Sequence, residues 1–169
     1  MQYKRILARF LIFGMLGLLL EVLGGAMRDL MQFDWDLRGD TSPWMILDYG
    51  LFGVILMPVA RPLIRRGVPL VFRALVYMTV IFTVEYVSGV IFHFILGIHV
   101  WDYSGMPYNL HGQIVLSCVF PWYFLGLIGE YLYRRVDACA VVLTQGLKAE
   151  QLEQADFGAP APTVECETS

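Results

Sequence analysis

Four carboxylates stand alone in long apolar stretches. Between Arg9 and Arg28 the only charged side chain is Glu21, between Asp40 and Arg61 only Asp48, between Arg73 and Asp102 only Glu85, and between Asp102 and Arg134 only Glu130. An acid in such surroundings is costly, and where it persists it relays protons, holds a cation or pins one helix to another. A second concentration of polar groups runs from His99 to Gly112, His-Val-Trp-Asp-Tyr-Ser-Gly-Met-Pro-Tyr-Asn-Leu-His-Gly, with His93 just ahead of it. Asp102, Ser104, Gly105, Pro107 and Asn109 suit successive turns, and Trp101, Tyr103 and Tyr108 suit an interfacial anchor or a lid.

The elements that position these groups follow from the same charge gaps. Each gap holds at least 18 residues, and a helix needs about 20 apolar residues to cross a hydrocarbon core about 30 Å thick. Helices are expected near Ile6 to Met27, Pro43 to Ile64, Val71 to Leu96 and Gln113 to Tyr133. The chain has 169 residues, 57% of them hydrophobic and 16% charged, which matches a membrane-embedded protein. The fold class is therefore all-α: a polytopic four-transmembrane-helix bundle with a structured outer loop between helices 3 and 4. The basic start, Lys4, Arg5 and Arg9, resembles that of a signal peptide, but no clear small-residue cleavage site follows Gly24-Gly25-Ala26, so the first helix is expected to be retained.

Lys and Arg alternate between the two sides. Lys4, Arg5 and Arg9 begin the chain, Arg61, Arg65, Arg66 and Arg73 fill the second connection, and Arg134 and Arg135 follow the fourth helix. The first connection has Arg28 and Arg38, and the third has none. The positive-inside bias then puts both termini in the cytoplasm of a multi-pass cell-membrane protein. Residues 1–136 form the transmembrane domain, and 137–169 an acidic, largely disordered tail. The tail holds six acids and one Lys, a charge of −5, which leaves +2 on the membrane part and makes the overall −3 a property of the tail. Neither part has a basic footprint for nucleic acid.

Depth ranks the acids. At 1.5 Å per residue from the outer helix ends, Glu21 lies about 9 Å deep, Asp48 about 7 Å, His93 about 5 Å and Glu85 about 17 Å, near mid-membrane; Glu130, about 27 Å down, lies at the inner surface. Arg134, four residues on, is its expected partner, in a structural role. Gly14, Gly17, Glu21, Gly24 and Arg28 form one small-or-polar stripe that should face a neighbouring helix. Glu21 then either serves a path, hydrogen-bonds across the interface, or pairs with Arg28. Glu85 shares its face with Ser88 and Gly89 and is open to the same two roles, path or packing. Asp48 is expected to pair with Arg28 or a loop group. Pro121 should kink the fourth helix.

Other chemistries find little support. His93, His99, Asp102 and His111 match no metal-ligand spacing, so no metal or other cofactor is expected. Ser104, His111 and Asp102 lack a nucleophile elbow. Cys118, Cys139 and Cys166 have no ligand spacing, and no phosphate-binding loop occurs.

Glu21 late in the first helix, Phe82-Thr-Val-Glu-Tyr-Val-Ser-Gly89 in the third, then Trp101-Asp-Tyr-Ser104, Pro107-Tyr-Asn109 and Gly112 together resemble the CmpB-like family of type IV ABC-transporter permeases. Transmembrane protein 229 chains resemble the same pattern. The likeness runs from about Ile6 to Tyr133. It implies a permease subunit that would draw any ATP energy from a separate P-loop ATPase, and it carries over no site residues. The candidate substrate or ion path is Glu21, Asp48, Glu85, His93, Asp102, Asn109 and His111. Expected partners are the lipid bilayer, that ATPase and further copies of the chain. Two other readings stand beside this one: an intramembrane enzyme acting on a lipid or lipid-linked substrate through Asp102, His99 or His111, and a non-catalytic scaffold.

Overall fold

The computed structural model describes residues 2–146. Four helices pack as a bundle: α1 (Gln2–Met31), α2 (Met45–Arg65), α3 (Leu70–Val90) and α4 (Val119–Gln145). A wider π turn, Ile91–Ile95, extends α3, and a two-stranded hairpin, β1 (Asn109–Leu110) with β2 (Ile114–Val115), leads through a 3-10 turn at Leu116–Cys118 into α4.

Three helical segments are long and apolar enough to cross a membrane: Gln2–Met31, Met45–Arg65 and Leu70–Ile95. They make this a multi-pass membrane protein. Along α1, Leu7, Leu11, Met15, Leu19 and Leu23 are exposed at four-residue spacing, a ridge that only lipid or another apolar surface can cover. The fourth helix departs from expectation. Residues 113–118 are taken by the hairpin and the 3-10 turn, so α4 starts later, and every 18-residue stretch within it contains Glu130, Arg134 and Arg135. Pro121 consequently falls in its first turn, where a missing amide interrupts no helical ladder. The prolines inside a helix are Pro58 and Pro62 of α2. At its other end α4 continues past residue 137 to Gln145, and the acidic tail beyond residue 146 lies outside the described residues.

Helices α1 and α2 make the closest pair, with Gly14 and Gly17 facing Ile46 and Tyr49. Further along, Gly25 and not Gly24 continues the contact, against Gly39 of the first connection, while Gly24 faces open space. Seven residues make slightly less than two turns, so the stripe drifts by one position.

The core gathers near the terminal end of the bundle, where Phe13, Leu56, Ala60, Tyr77, Tyr133 and Val136 are buried together. Two ion clusters close this end. Arg73 Nε donates to Glu130 Oε1 at 2.7 Å, its Nη2 to Oε2 at 3.0 Å, and the Tyr77 hydroxyl joins at 2.7 Å. The partner of Glu130 is thus a cation of α3, and Arg134 is exposed. Asp137 takes Arg5 Nε at 2.8 Å and Arg9 Nη1 at 2.9 Å, tying the first turns of α1 to α4.

These contacts set two expectations. A Cβ at Gly126 would lie 2.8 Å from the Ala74 carbonyl oxygen, and backbone cannot swing aside, so Gly126→Ala should cost about 1–3 kcal/mol. Gly24→Ala meets nothing and should be neutral or stabilising by up to about 1 kcal/mol; thermal unfolding in detergent separates the two. The hydrogen bonds from Arg5, with the one from Arg9, hold Asp137 below the usual carboxylate range. Its contribution is complete above the unfolded value of about 3.9 and is lost as pH falls through the lower folded value. An acid titration of Tm should decline less steeply in Asp137→Asn than in the parent.

Candidate functional site

Away from the core, the bundle opens towards the α1–α2 and α3–α4 connections, and three of the sequence-derived acids meet there. The Tyr49 hydroxyl of α2 donates to Glu21 Oε1 of α1 at 2.5 Å. Ser88 of α3 donates to Asp48 Oδ1 of α2. Glu85 of α3 is buried and accepts Trp122 Nε1 of α4 at 3.0 Å and the Tyr103 hydroxyl at 3.3 Å. Among the described residues none of the three acids is paired with a cation. The expected pairings of Glu21 and Asp48 with Arg28 do not form; Arg28 is exposed, and Asp48 is satisfied from α3. The second oxygen of Asp48, Oδ2, is buried without a partner among the described residues.

Two cavities flank these acids. One of about 330 Å³ lies between the connections, with Glu21, Asp40, Thr41, Ser42, Trp101 and Tyr103 in its wall. The other, about 70 Å³, lies inside the bundle and is lined by apolar side chains together with Asp48, Tyr49, Glu85 and Trp122. Met45 lines both. Two hydrogen-bonded pairs stand across the boundary. Glu21 faces the larger cavity and its partner Tyr49 the smaller, while Tyr103 faces the larger and its partner Glu85 the smaller.

The α3–α4 connection is folded onto the bundle, which brings Tyr103 to Glu85. Trp101 Nε1 donates to the Gln113 carbonyl at 2.9 Å, and Gln113 is buried, with its side-chain amide on the His111 carbonyl at 3.0 Å and beside His93 Nδ1 at 3.3 Å. Gly89 makes room for this, since a Cβ there would lie 2.4 Å from Gln113 Oε1 and 3.0 Å from the Trp101 ring. Asp102 Oδ1 accepts the Ser104 amide at 2.8 Å, and the Ser104 hydrogen bonds keep this exposed carboxyl below its ordinary range. Asn109 ties the Met106 carbonyl at 2.7 Å and the Gly112 amide at 3.0 Å. Tyr108 and His111 adopt left-handed backbone, with φ of 57° and 52°, a conformation that local turns must enforce.

Of the seven candidates, then, Glu21, Asp48 and Glu85 come together, while His93, Asp102, Asn109 and His111 hold the connection in shape. His111 meets the Tyr86 hydroxyl at 2.9 Å, and His93 sits against His99 with ring centres 4.1 Å apart. No group of three or more His, Cys, Asp or Glu side chains stands close enough to hold a metal ion among the described residues. Tyr49 and Trp122 carry no signal in the sequence, and Ser88, expected on the face of Glu85, donates instead to Asp48. Tyr49 directly follows Asp48, and Trp122 follows Pro121, but nothing in their spacing names an acid on another helix.

A double-mutant cycle tests the Glu21 to Tyr49 contact. Tyr49→Phe should cost about 1–3 kcal/mol, as hydrogen bonds to acidic groups do, and should add little in a Glu21→Gln background. Strict additivity of the two in thermal unfolding would show that the contact carries no energy.

Comparison with known proteins agrees with this architecture. A family model described as "Putative ABC-transporter type IV" matches residues 8–148, and no solved structure matches the chain. The match covers the helical bundle from the second turn of α1 onward and the acids within it, so the chain belongs to this ABC-transporter family, as a membrane permease subunit that needs a separate ATPase.

Proposed function

We propose that the subunit carries its substrate through the acid-lined passage that runs from the larger cavity, past the two hydrogen-bonded pairs, to the smaller one. The carrying observation is the company the acids keep. Glu130 and Asp137 are neutralised by arginines, whereas Glu21, Asp48 and Glu85 receive only hydroxyl and indole donors. Acids left without a cation beside a cavity are the arrangement expected of a cation or proton path. Glu21, Asp48 and Glu85 are its working residues; His93, Asp102, Asn109 and His111 act by positioning Tyr103 and Trp101.

In this reading α4 also crosses the bilayer, its apolar part facing the membrane and Arg134 and Arg135 the inner surface. Both termini are cytoplasmic by the distribution of Lys and Arg, so the larger cavity opens outward. Four helices enclose little space, and a second copy of the chain completes the pathway. The ATPase docks at the α2–α3 connection, where Arg61, Arg65 and Arg66 are exposed and, among the described residues, free of ion pairs.

Crosslinking in native membranes followed by purification should recover a P-loop ATPase in stoichiometric amount. Reversing charge at Arg61, Arg65 and Arg66 together should release it without lowering Tm. Failure of the unmodified protein to retain any ATPase would overturn the docking assignment. Glu85→Gln should keep the ATPase bound yet reduce transport-coupled ATP hydrolysis on the order of tenfold or more, since it removes the path's deepest ionisable group; full activity would remove Glu85 from the path.

A further inference from the structure

We infer that the larger cavity is a recognition site for an organic ammonium ion, a cation that carries alkyl groups on its nitrogen. This deepens the path reading, and rests on it, by naming the chemical class that the path admits. The wall of this 330 Å³ cavity combines two carboxylates, Glu21 and Asp40, two hydroxyls, Thr41 and Ser42, and two aromatic side chains, Trp101 and Tyr103. Carboxylates attract any cation; aromatic side chains add to this for a weakly hydrated one, whose alkyl surface is also removed from water.

Both aromatic side chains are fixed before any ligand arrives. The indole of Trp101 is held by the Gln113 carbonyl at 2.9 Å and the Tyr103 hydroxyl by Glu85 at 3.3 Å, so ordering them costs a ligand little. The hydroxyl oxygen of Thr41 is buried and has no partner among the described residues, which leaves a polar atom of the wall for a ligand to satisfy. Among the described residues no Lys or Arg lines the cavity, and Arg38 of the first connection is turned to Asp36 at 3.0 Å.

Size limits the ligand as well. The inner cavity of about 70 Å³ is about half of the roughly 150 Å³ that accommodates benzene in an engineered protein core. An ammonium head with short alkyl groups fits the outer site, where Glu21 and Asp40 face its charge; a bulky aromatic cation is too large for the inner one.

The test is equilibrium binding of tetramethylammonium to the full-length protein in nanodiscs, read by tryptophan fluorescence, with sodium and acetate as controls. The expected result is saturable binding of tetramethylammonium that an equal concentration of sodium does not displace. Asp40→Asn and Trp101→Leu should each weaken it tenfold or more. Asp40 is an exposed loop residue, so its substitution leaves the bundle intact and keeps the test valid if Trp101→Leu unfolds the connection. Absence of saturable binding, displacement by sodium at equal concentration, or unchanged affinity in Asp40→Asn would each overturn the assignment. ATPase retention, measured separately, shows whether the permease reading survives such a failure.

Discussion

A bilayer offers no water to a carboxylate, so every acid inside this bundle has to be solvated by the protein itself. That constraint divides the molecule into two halves. Near the termini the answer is charge: Arg73 embraces Glu130 and Arg5 and Arg9 embrace Asp137, and the same side chains lock α3 to α4 and α1 to α4. Towards the connections the answer is neutral donors, with Tyr49, Ser88, Trp122 and Tyr103 each donating to an acid. A neutral donor satisfies the oxygens of an acid without placing a counter-charge beside it. The first half joins its helices through ion pairs and the second through hydrogen bonds.

The connections are part of this division. Because α3 ends in a π turn and the following segment folds back as a hairpin, Tyr103 is returned to the bundle and supplies one of the two donors of Glu85. Asn109, Asp102 and Gly112 act through backbone bonds, and Gln113, buried beneath them, joins the connection to Gly89 of α3. Substitutions in this segment should therefore be felt at Glu85, though none of its turn-forming residues touches that carboxyl.

The sequence carries the helices plainly, because gaps between charges are a direct record of what a bilayer tolerates. It also carries Glu21, Asp48 and Glu85, whose isolation in those gaps is visible in a single chain. It does not carry their partners. The spacing rule that pairs Glu130 with Arg134 counts neighbours on one helix only, whereas Arg73 arrives from another helix, and Tyr49 and Ser88 likewise reach acids across a helix interface. The start of α4 was hidden for a related reason. Gln113 to Cys118 is as apolar as a helix end, and only the left-handed backbone at Tyr108, His111 and Gly112, set by side-chain bonds within the loop, makes it a hairpin instead.

The central claim is that an outward-open, cation-attracting passage leads to the acids of the bundle, and the side chain shared by both cavities tests it most directly. In a cysteine-free background carrying Met45→Cys, intact cells would be treated with membrane-impermeant thiol reagents of matched size, one cationic and one anionic. The account predicts modification from outside, with the cationic reagent faster on the order of tenfold, and loss of that preference in Glu21→Gln. An unreactive thiol, or equal rates for the two reagents, would contradict it.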